Sequence, residues 1–265
     1  MKEINIDEKL AGQKMMRCLE RYLSNAPKSF LYKMLRKKNI TLNNSKATGD
    51  EKLKCGDTIK IFFSDETFEK FSADNNRAVN DDYYSRIYRP LDIIYENSDV
   101  IFINKPSGML SQKAKPEDVS LVEYLIAHLI HEKKINAGDL ASFKPGICNR
   151  LDRNTSGIVA AGKTTKGLQQ LSEAFKLRTL GKYYLCIVNG SIDKRALIKG
   201  YLHKDNKTNK VIISRTETKD SLPIETEYIP VCSNGNVTLL KIHLLTGRSH
   251  QIRAHLASIG HPLIG

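Results

Sequence analysis

The sequence predicts an α+β protein, with a small αβ domain at residues 1–63 and a larger domain on a mixed or antiparallel sheet at 90–265. Three observations carry this reading. Two short helix-periodic stretches and two strand-like ones crowd into residues 1–63. After Pro90, strand-like segments outnumber helical ones and do not alternate strictly with them, which argues against a doubly wound parallel sheet. Between the two, residues 64–89 contain Asn75-Asn76, Asp81-Asp82 and few periodic apolar positions, and read as a linker, partly mobile. A chain of 265 residues is long enough for both domains.

In chain order, Met15, Leu19, Tyr22 and Leu23 recur at helical spacing. After Asn25-Ala-Pro27 a second helical set, Phe30, Leu31, Met34 and Leu35, opens behind Ser29 as the expected N-cap. That second helix carries Lys33, Arg36, Lys37 and Lys38 on its outer side. Short strands are expected at 39–43 and, after the turn Cys55-Gly-Asp57, at 58–63. On composition alone the basic cluster is a solvated helix face.

In the larger domain strands are expected at 93–95 and 100–104, followed by a turn at Lys105-Pro-Ser-Gly108 and an amphipathic helix near 121–130. The stretch NRLDRNTSG, 149–157, sets Asp152 between Arg150 and Arg153 just ahead of an apolar strand, 157–161, and a helix follows around 165–175. Ordinary turn chemistry accounts for such a loop locally. That is the leading account on local grounds; against it weighs the density of groups able to donate, attack and bind phosphate, because rigidly held loops are where chemistry concentrates.

Further strands are expected at 182–188, 226–231 and 237–244. In KYYLCIVNG, 182–190, Tyr184, Cys186 and Val188 share one strand face, so Tyr184 reads equally as a core tyrosine or as a ring that stacks on a base. The stretch LLTGRSHQIRAHLASIGHPL turns at Thr246-Gly247, passes Arg248, takes Ser249 as N-cap and runs as a helix to Gly260. Its His250 and His255 are five residues apart, face different sides of a helix and share the segment with no carboxylate, so no metal is expected. Arg253, in the first turns, has a fork suited to holding a carboxylate such as Asp152 in a fixed orientation, and an oriented carboxylate can be a nucleophile.

Lys and Arg total 42 against 29 Asp and Glu, a net charge of +13 and a pI of about 9.4. Such an excess makes RNA or DNA the leading partner and an anionic membrane surface the second. Residues 1–63 hold 14 basic and 7 acidic side chains, residues 64–89 hold 4 and 6, and residues 90–265 hold 24 and 16. Two basic modules therefore flank a mildly acidic connector. The five cysteines are widely spaced with no C-x-x-C pair, so reduced thiols are expected. The opening residues lack the apolar core of a signal peptide and no stretch approaches a membrane span, so a cytoplasmic setting without a membrane partner is expected.

LYKMLRKKNITLNNSK and LKCGDTIKIFF resemble the small RNA-binding domain named after ribosomal protein S-four, over roughly residues 12–63. The resemblance implies that Lys33, Arg36, Lys37 and Lys38 grip RNA phosphates. NKPSG at 104–108, NRLDRNTSG, KYYLCIVNG and LTGRSHQIRAHL, in this order and spacing, strongly resemble the pseudouridine synthases of the RluA family from about residue 91 onward. That resemblance implies the pseudouridine synthase fold and conversion of uridine to pseudouridine in structured RNA, large-subunit ribosomal RNA ahead of tRNA. It makes Asp152 the catalytic aspartate and Arg253 its ion-pair partner. Tyr184 would pack on the target base and help move a proton, Arg150 would fill the place the base leaves, and Arg153 and Arg248 would contact RNA. It implies no metal and no organic cofactor, and a monomer is expected. The family usually has His where this chain has Asn149, a departure that touches loop support more than chemistry. The family also continues past GHPLIG with an aspartate and several dozen residues, so the catalytic domain is read as C-terminally incomplete.

Two other readings compete. A ribosome-assembly protein that clamps RNA without changing it fits the charge and the first domain equally well. A nucleoside hydrolase would want a clustered aspartate-rich calcium site, which the sequence lacks.

Overall fold

Ile4, buried between exposed Glu3 and Asn5, turns the chain's opening residues into a strand, β1 (Lys2–Asn5). The structure is a computed structural model, and it describes residues 1–8, 10–72, 77–141, 143–204 and 211–264. Two helices follow, α1 (Met15–Tyr22) and α2 (Lys28–Arg36), then β2 (Ile40–Leu42), β3 (Ser45–Lys46) and β4 (Thr58–Ile61). These strands form an antiparallel sheet in the order β1-β4-β2-β3. Met15, Leu19, Leu31, Leu35, Ile40, Ile59 and Ile61 are fully buried in one core, as the helical and alternating spacings require. One expectation is corrected here. Ser29 is the second residue of α2, and the cap position belongs to Pro27, whose fixed φ of −58° leads straight into the first turn.

The segment 64–89, expected as a linker, carries two helices. In α3 (Asp65–Phe71) the Ser64 hydroxyl accepts from the Thr67 N–H at 3.3 Å and Asp65 and Glu66 occupy the first turn. Phe30 meets Phe71 and Phe63 at ring separations of 4.5 and 5.7 Å. The second helix is α4 (Arg77–Ile87), and residues 73–76 of the expected linker lie outside the described residues. Tyr84 of α4 is buried against Ile126 and Ala127. Aromatic side chains that reach neighbouring elements hold these helices, and so few positions leave no long periodic signature.

Next come β5 (Ile93–Glu96), β6 (Val100–Lys105), α5 (Leu121–His131), a 3-10 turn at Ala137–Ala141, β7 (Gly146–Ile147), β8 (Gly157–Gly162) and α6 (Thr165–Lys176). The strands make a second antiparallel sheet, β5-β6-β8-β7. At the start of α5 the Ser120 N–H and hydroxyl both donate to the Glu123 carboxylate, at 3.1 and 2.6 Å. The chain forms two compact units, Met1–Phe175 and Lys176–Gly265. Within the first, Phe143 joins the core built around α1 and α2, and the Gln169 amide donates to the Gly12 carbonyl at 2.8 Å.

The second unit is a five-stranded antiparallel sheet made of β9 (Tyr183–Asn189), β10 (Ala196–Lys204), β11 (Val211–Ser214), β12 (Leu222–Ser233) and β13 (Val237–Leu244), in the order β11-β10-β12-β13-β9, with α7 (Gln251–Ser258) packed on it. Its core gathers Val188, Tyr228, Leu240, Ile242 and Leu256. β12 runs well beyond the expected 226–231. Pro230 is tolerated because pairing with β10 ends at Tyr228 and a bulge interrupts the pairing with β13 between Pro230 and Cys232. The N-cap of α7 is His250 in a left-handed conformation, φ 56°, in place of the expected Ser249. Every pairing among the described strands is antiparallel, one of the two arrangements expected. Among the described residues no helix is long and apolar enough to cross a membrane.

Candidate active site

In the first unit, Asp152 stands exposed on the loop between β7 and β8, next to buried Leu151. The loop is held from three sides. Leu151 exchanges two hydrogen bonds with Ser111, donating its N–H to the hydroxyl at 3.0 Å and accepting from it at 2.7 Å. Asn149 spans the loop's base, its amide donating to the Ile158 carbonyl at 3.1 Å and accepting from the Ala160 N–H at 2.7 Å. Loop support is therefore what this side chain supplies.

The third support is Lys105, which in the sequence reads only as a turn residue. Its side chain is completely buried, and its ammonium donates to the carbonyls of Pro106 at 2.9 Å, Met109 at 2.9 Å and Arg153 at 3.2 Å. One cation thus ties the NKPSG turn to the residue that follows Asp152. Burial holds the Lys105 pKa below 10.5, and the Asp152 carboxylate acts against that shift. The Gly108 N–H donates to the Arg153 carbonyl at 2.8 Å and the Arg153 guanidinium returns a bond to the Gly108 carbonyl at 3.1 Å. Arg150 is exposed and donates to the Gln112 side chain at 3.3 Å. Arg150, Asp152 and Arg153 are therefore brought together on one braced loop, and Arg153 is part of the brace.

In the second unit, Tyr184 is half-buried on β9 and packs with Cys186 on the core around Val188 and Leu256, the face that the strand alternation predicts. Arg248 and Arg253 are both exposed, before and within α7. Their loop hangs on Gln251, which sequence reasoning also misses. Gln251 is buried, its carbonyl oxygen accepts from the Thr246 hydroxyl at 2.9 Å and the Arg248 N–H at 3.0 Å, and its amide donates to Glu225 O at 3.1 Å and Thr226 Oγ1 at 3.0 Å. His255 is buried with Nδ1 at 3.0 Å from Thr226 Oγ1, and burial lowers its pKa below 6.5. It is thus a core residue and no cation at neutral pH. Lys33, Arg36, Lys37 and Lys38 line the exposed end of α2.

A family model described as RNA pseudouridylate synthase matches residues 99–258, which contain all four motifs. The chain belongs to the RNA pseudouridylate synthase family. The synthase is 29% identical over 261 residues to a ribosomal large subunit pseudouridine synthase C of Vibrio cholerae, covering 98% of this chain and 78% of that one. It is 30% identical over 250 residues to a ribosomal large subunit pseudouridine synthase D of Borreliella burgdorferi, covering 93% and 74%. The synthase thus spans about three-quarters of these relatives' length. Among solved structures it resembles human RNA pseudouridylate synthase domain containing 4 at a TM-score of 0.53 and 20% identity, covering 72% of this chain and 71% of that one. Human RNA pseudouridylate synthase domain containing 1 is comparable, at 0.52 and 22%, covering 66% and 67%. Both support the pseudouridine synthase fold.

Proposed function

We propose that this synthase converts uridine to pseudouridine in large-subunit ribosomal RNA, with Asp152 acting on the ribose. The observation that carries the chemistry is an exposed carboxylate on a loop braced by a buried lysine, a serine and an asparagine. A carboxylate held in one orientation is suited to attack or proton abstraction. Breaking the bond between ribose and ring nitrogen releases uracil, which is stable as an anion, and the same ring rejoins the sugar through carbon, so no second carboxylate is needed. Hydrolytic glycosidases, which must also handle water, generally use two. The target base must leave its stack to be reached, and Arg150, exposed beside Asp152, is assigned to the gap. Tyr184 and Arg253 take the roles of base contact and carboxylate partner from the motifs they stand in, and Arg248 that of an RNA contact. The choice of ribosomal RNA over tRNA rests on the relatives' names.

Residues 1–63 are assigned to RNA binding as an S-four-like domain, with Lys33, Arg36, Lys37 and Lys38 on phosphates. Ribosomal RNA lacking pseudouridine, labelled with tritium at uracil carbon-5, tests the whole reading. Isomerisation releases the label into water. RNA that is bound with no release makes the chain a clamp, and release from tRNA alone removes the ribosomal assignment.

A further inference from the structure

A cleft of about 490 Å³ opens on the amino-terminal sheet and helix pair, between the last turns of α2 and the end of β3. That size falls within the roughly 300–1,000 Å³ of small-ligand sites. Its floor is apolar, formed by buried Leu35 and Ala47, and its walls are Tyr32, Arg36, Lys46 and Thr48. None of the six is acidic. Tyr32 is 40% exposed, although buried Leu35 and Ala47 line the same cleft. Lys28, Tyr32 and Arg36 stand at i, i+4 and i+8, so the ring sits in a basic row along one face of the helix. Lys28 and nearby Lys14 are already paired with Glu20 and Asp50, at 2.8 and 2.9 Å. Arg36 and Lys46 have no acidic partner among the described residues, and they are the two cations at the cleft itself. The far wall is fixed, because the Glu51 carboxylate accepts from the Thr48 N–H and hydroxyl and from the Gly49 N–H at 2.7–2.9 Å.

We propose that this cleft takes one unpaired nucleotide of RNA, its base stacked on Tyr32 over Leu35 and Ala47 and its flanking phosphates held by Arg36 and Lys46. An exposed aromatic ring in a cleft with two cations is suited to single strands, since every base has a π-face and every linkage a charge. A basic helix alone would hold paired and unpaired RNA alike. The cleft adds a preference for a looped-out residue, and so determines which RNA segments the first domain selects. This inference rests on the RNA-binding reading of residues 1–63.

The test uses the full chain with an oligouridylate, a blunt RNA duplex and uridine monophosphate as probes. Tyr32→Leu keeps the apolar surface and removes the ring. It is expected to weaken oligouridylate binding about fivefold or more, the worth of one base stack, and to leave duplex binding unchanged. Tyr32→Phe should bind as wild type, which separates removal of the ring from damage to the fold. Lys46→Gln should lower the salt slope for the oligomer by about one unit. Uridine monophosphate should bind far more weakly than the oligomer. Equal affinities of wild type and Tyr32→Leu for oligouridylate would overturn the proposal, as would a free nucleotide that binds as tightly as the oligomer. If changing Lys33, Arg36, Lys37 and Lys38 together to Ala altered binding to no probe, the RNA-binding reading itself would fail. Failure of Tyr32→Leu alone leaves that reading standing and removes only the cleft.

Discussion

Replacing Lys105 by Met keeps most of the buried stem and deletes the ammonium. Three carbonyls lose a donor, but that of Arg153 retains the Gly108 N–H at 2.8 Å and exposed Pro106 can turn to water, so the damage falls on buried Met109. A buried acceptor left unsatisfied costs about 1–3 kcal/mol. The variant is spared the desolvation that pulls the Lys105 pKa down, so the net falls toward the lower end of that range, about 1–2 kcal/mol. In a domain of this size that lowers Tm by about 2–8 °C. Turnover should fall further than stability, since a displacement of about 1 Å in a reacting group can cost about 100-fold. Thermal melts followed by circular dichroism, with single-turnover rates taken well below the variant's Tm, measure both. A variant melting within about 1 °C of wild type at an unchanged rate would refute the claim that Lys105 braces the Asp152 loop.

Changing Lys33, Arg36, Lys37 and Lys38 together to Ala should flatten the salt dependence of RNA binding by roughly one unit of log–log slope for each phosphate no longer neutralised, while single-turnover rates at saturating RNA stay unchanged. Stability should fall on acidification in two stages. Burial lowers the pKa values of His128 and His255 below 6.5, so the unfolded chain takes up protons first and stability is lost as pH drops from about 6.5. The second stage begins below about 4.5, where Glu51, Glu96, Asp99 and Glu227, all with lowered pKa, lose their charge. His128 is buried and neither ring nitrogen has a hydrogen-bond partner among the described residues. His128→Leu should therefore raise Tm and shrink the first stage, and a Tm against pH curve that stayed parallel to wild type would contradict this.

How far the sequence can be read depends on where each element's contacts come from. β6, β8, β9, β13 and α6 carry their own periodicity and are legible. β10 is not, because Gly200 and Lys199 interrupt it, and Gly200 is there for a neighbour: a Cβ at that position would come within 3.1 Å of the Ser214 carbonyl on β11. The two-residue strands β3 and β7 exist only through their pairing. At the site, Asp152 between two arginines draws attention by charge density, and the resemblance of its motif assigns it a role. Lys105 is hidden, since a lysine before Pro-Ser-Gly reads as an exposed turn, and only the fold shows three carbonyls converging on it. Gln251 is hidden for the same reason, inside a loop whose arginines and histidines draw attention first.

Asp152 is assigned the chemistry, and Asp152→Asn isolates that role, because the substitution preserves size and removes the nucleophile's charge. The measurement is pseudouridine formation in a single turnover on unmodified ribosomal RNA, with RNA affinity determined on the same preparation. We expect no detectable product with affinity within about twofold of wild type, given that phosphate contacts dominate binding. A rate close to wild type would take Asp152 out of its role and leave the braced loop without a function.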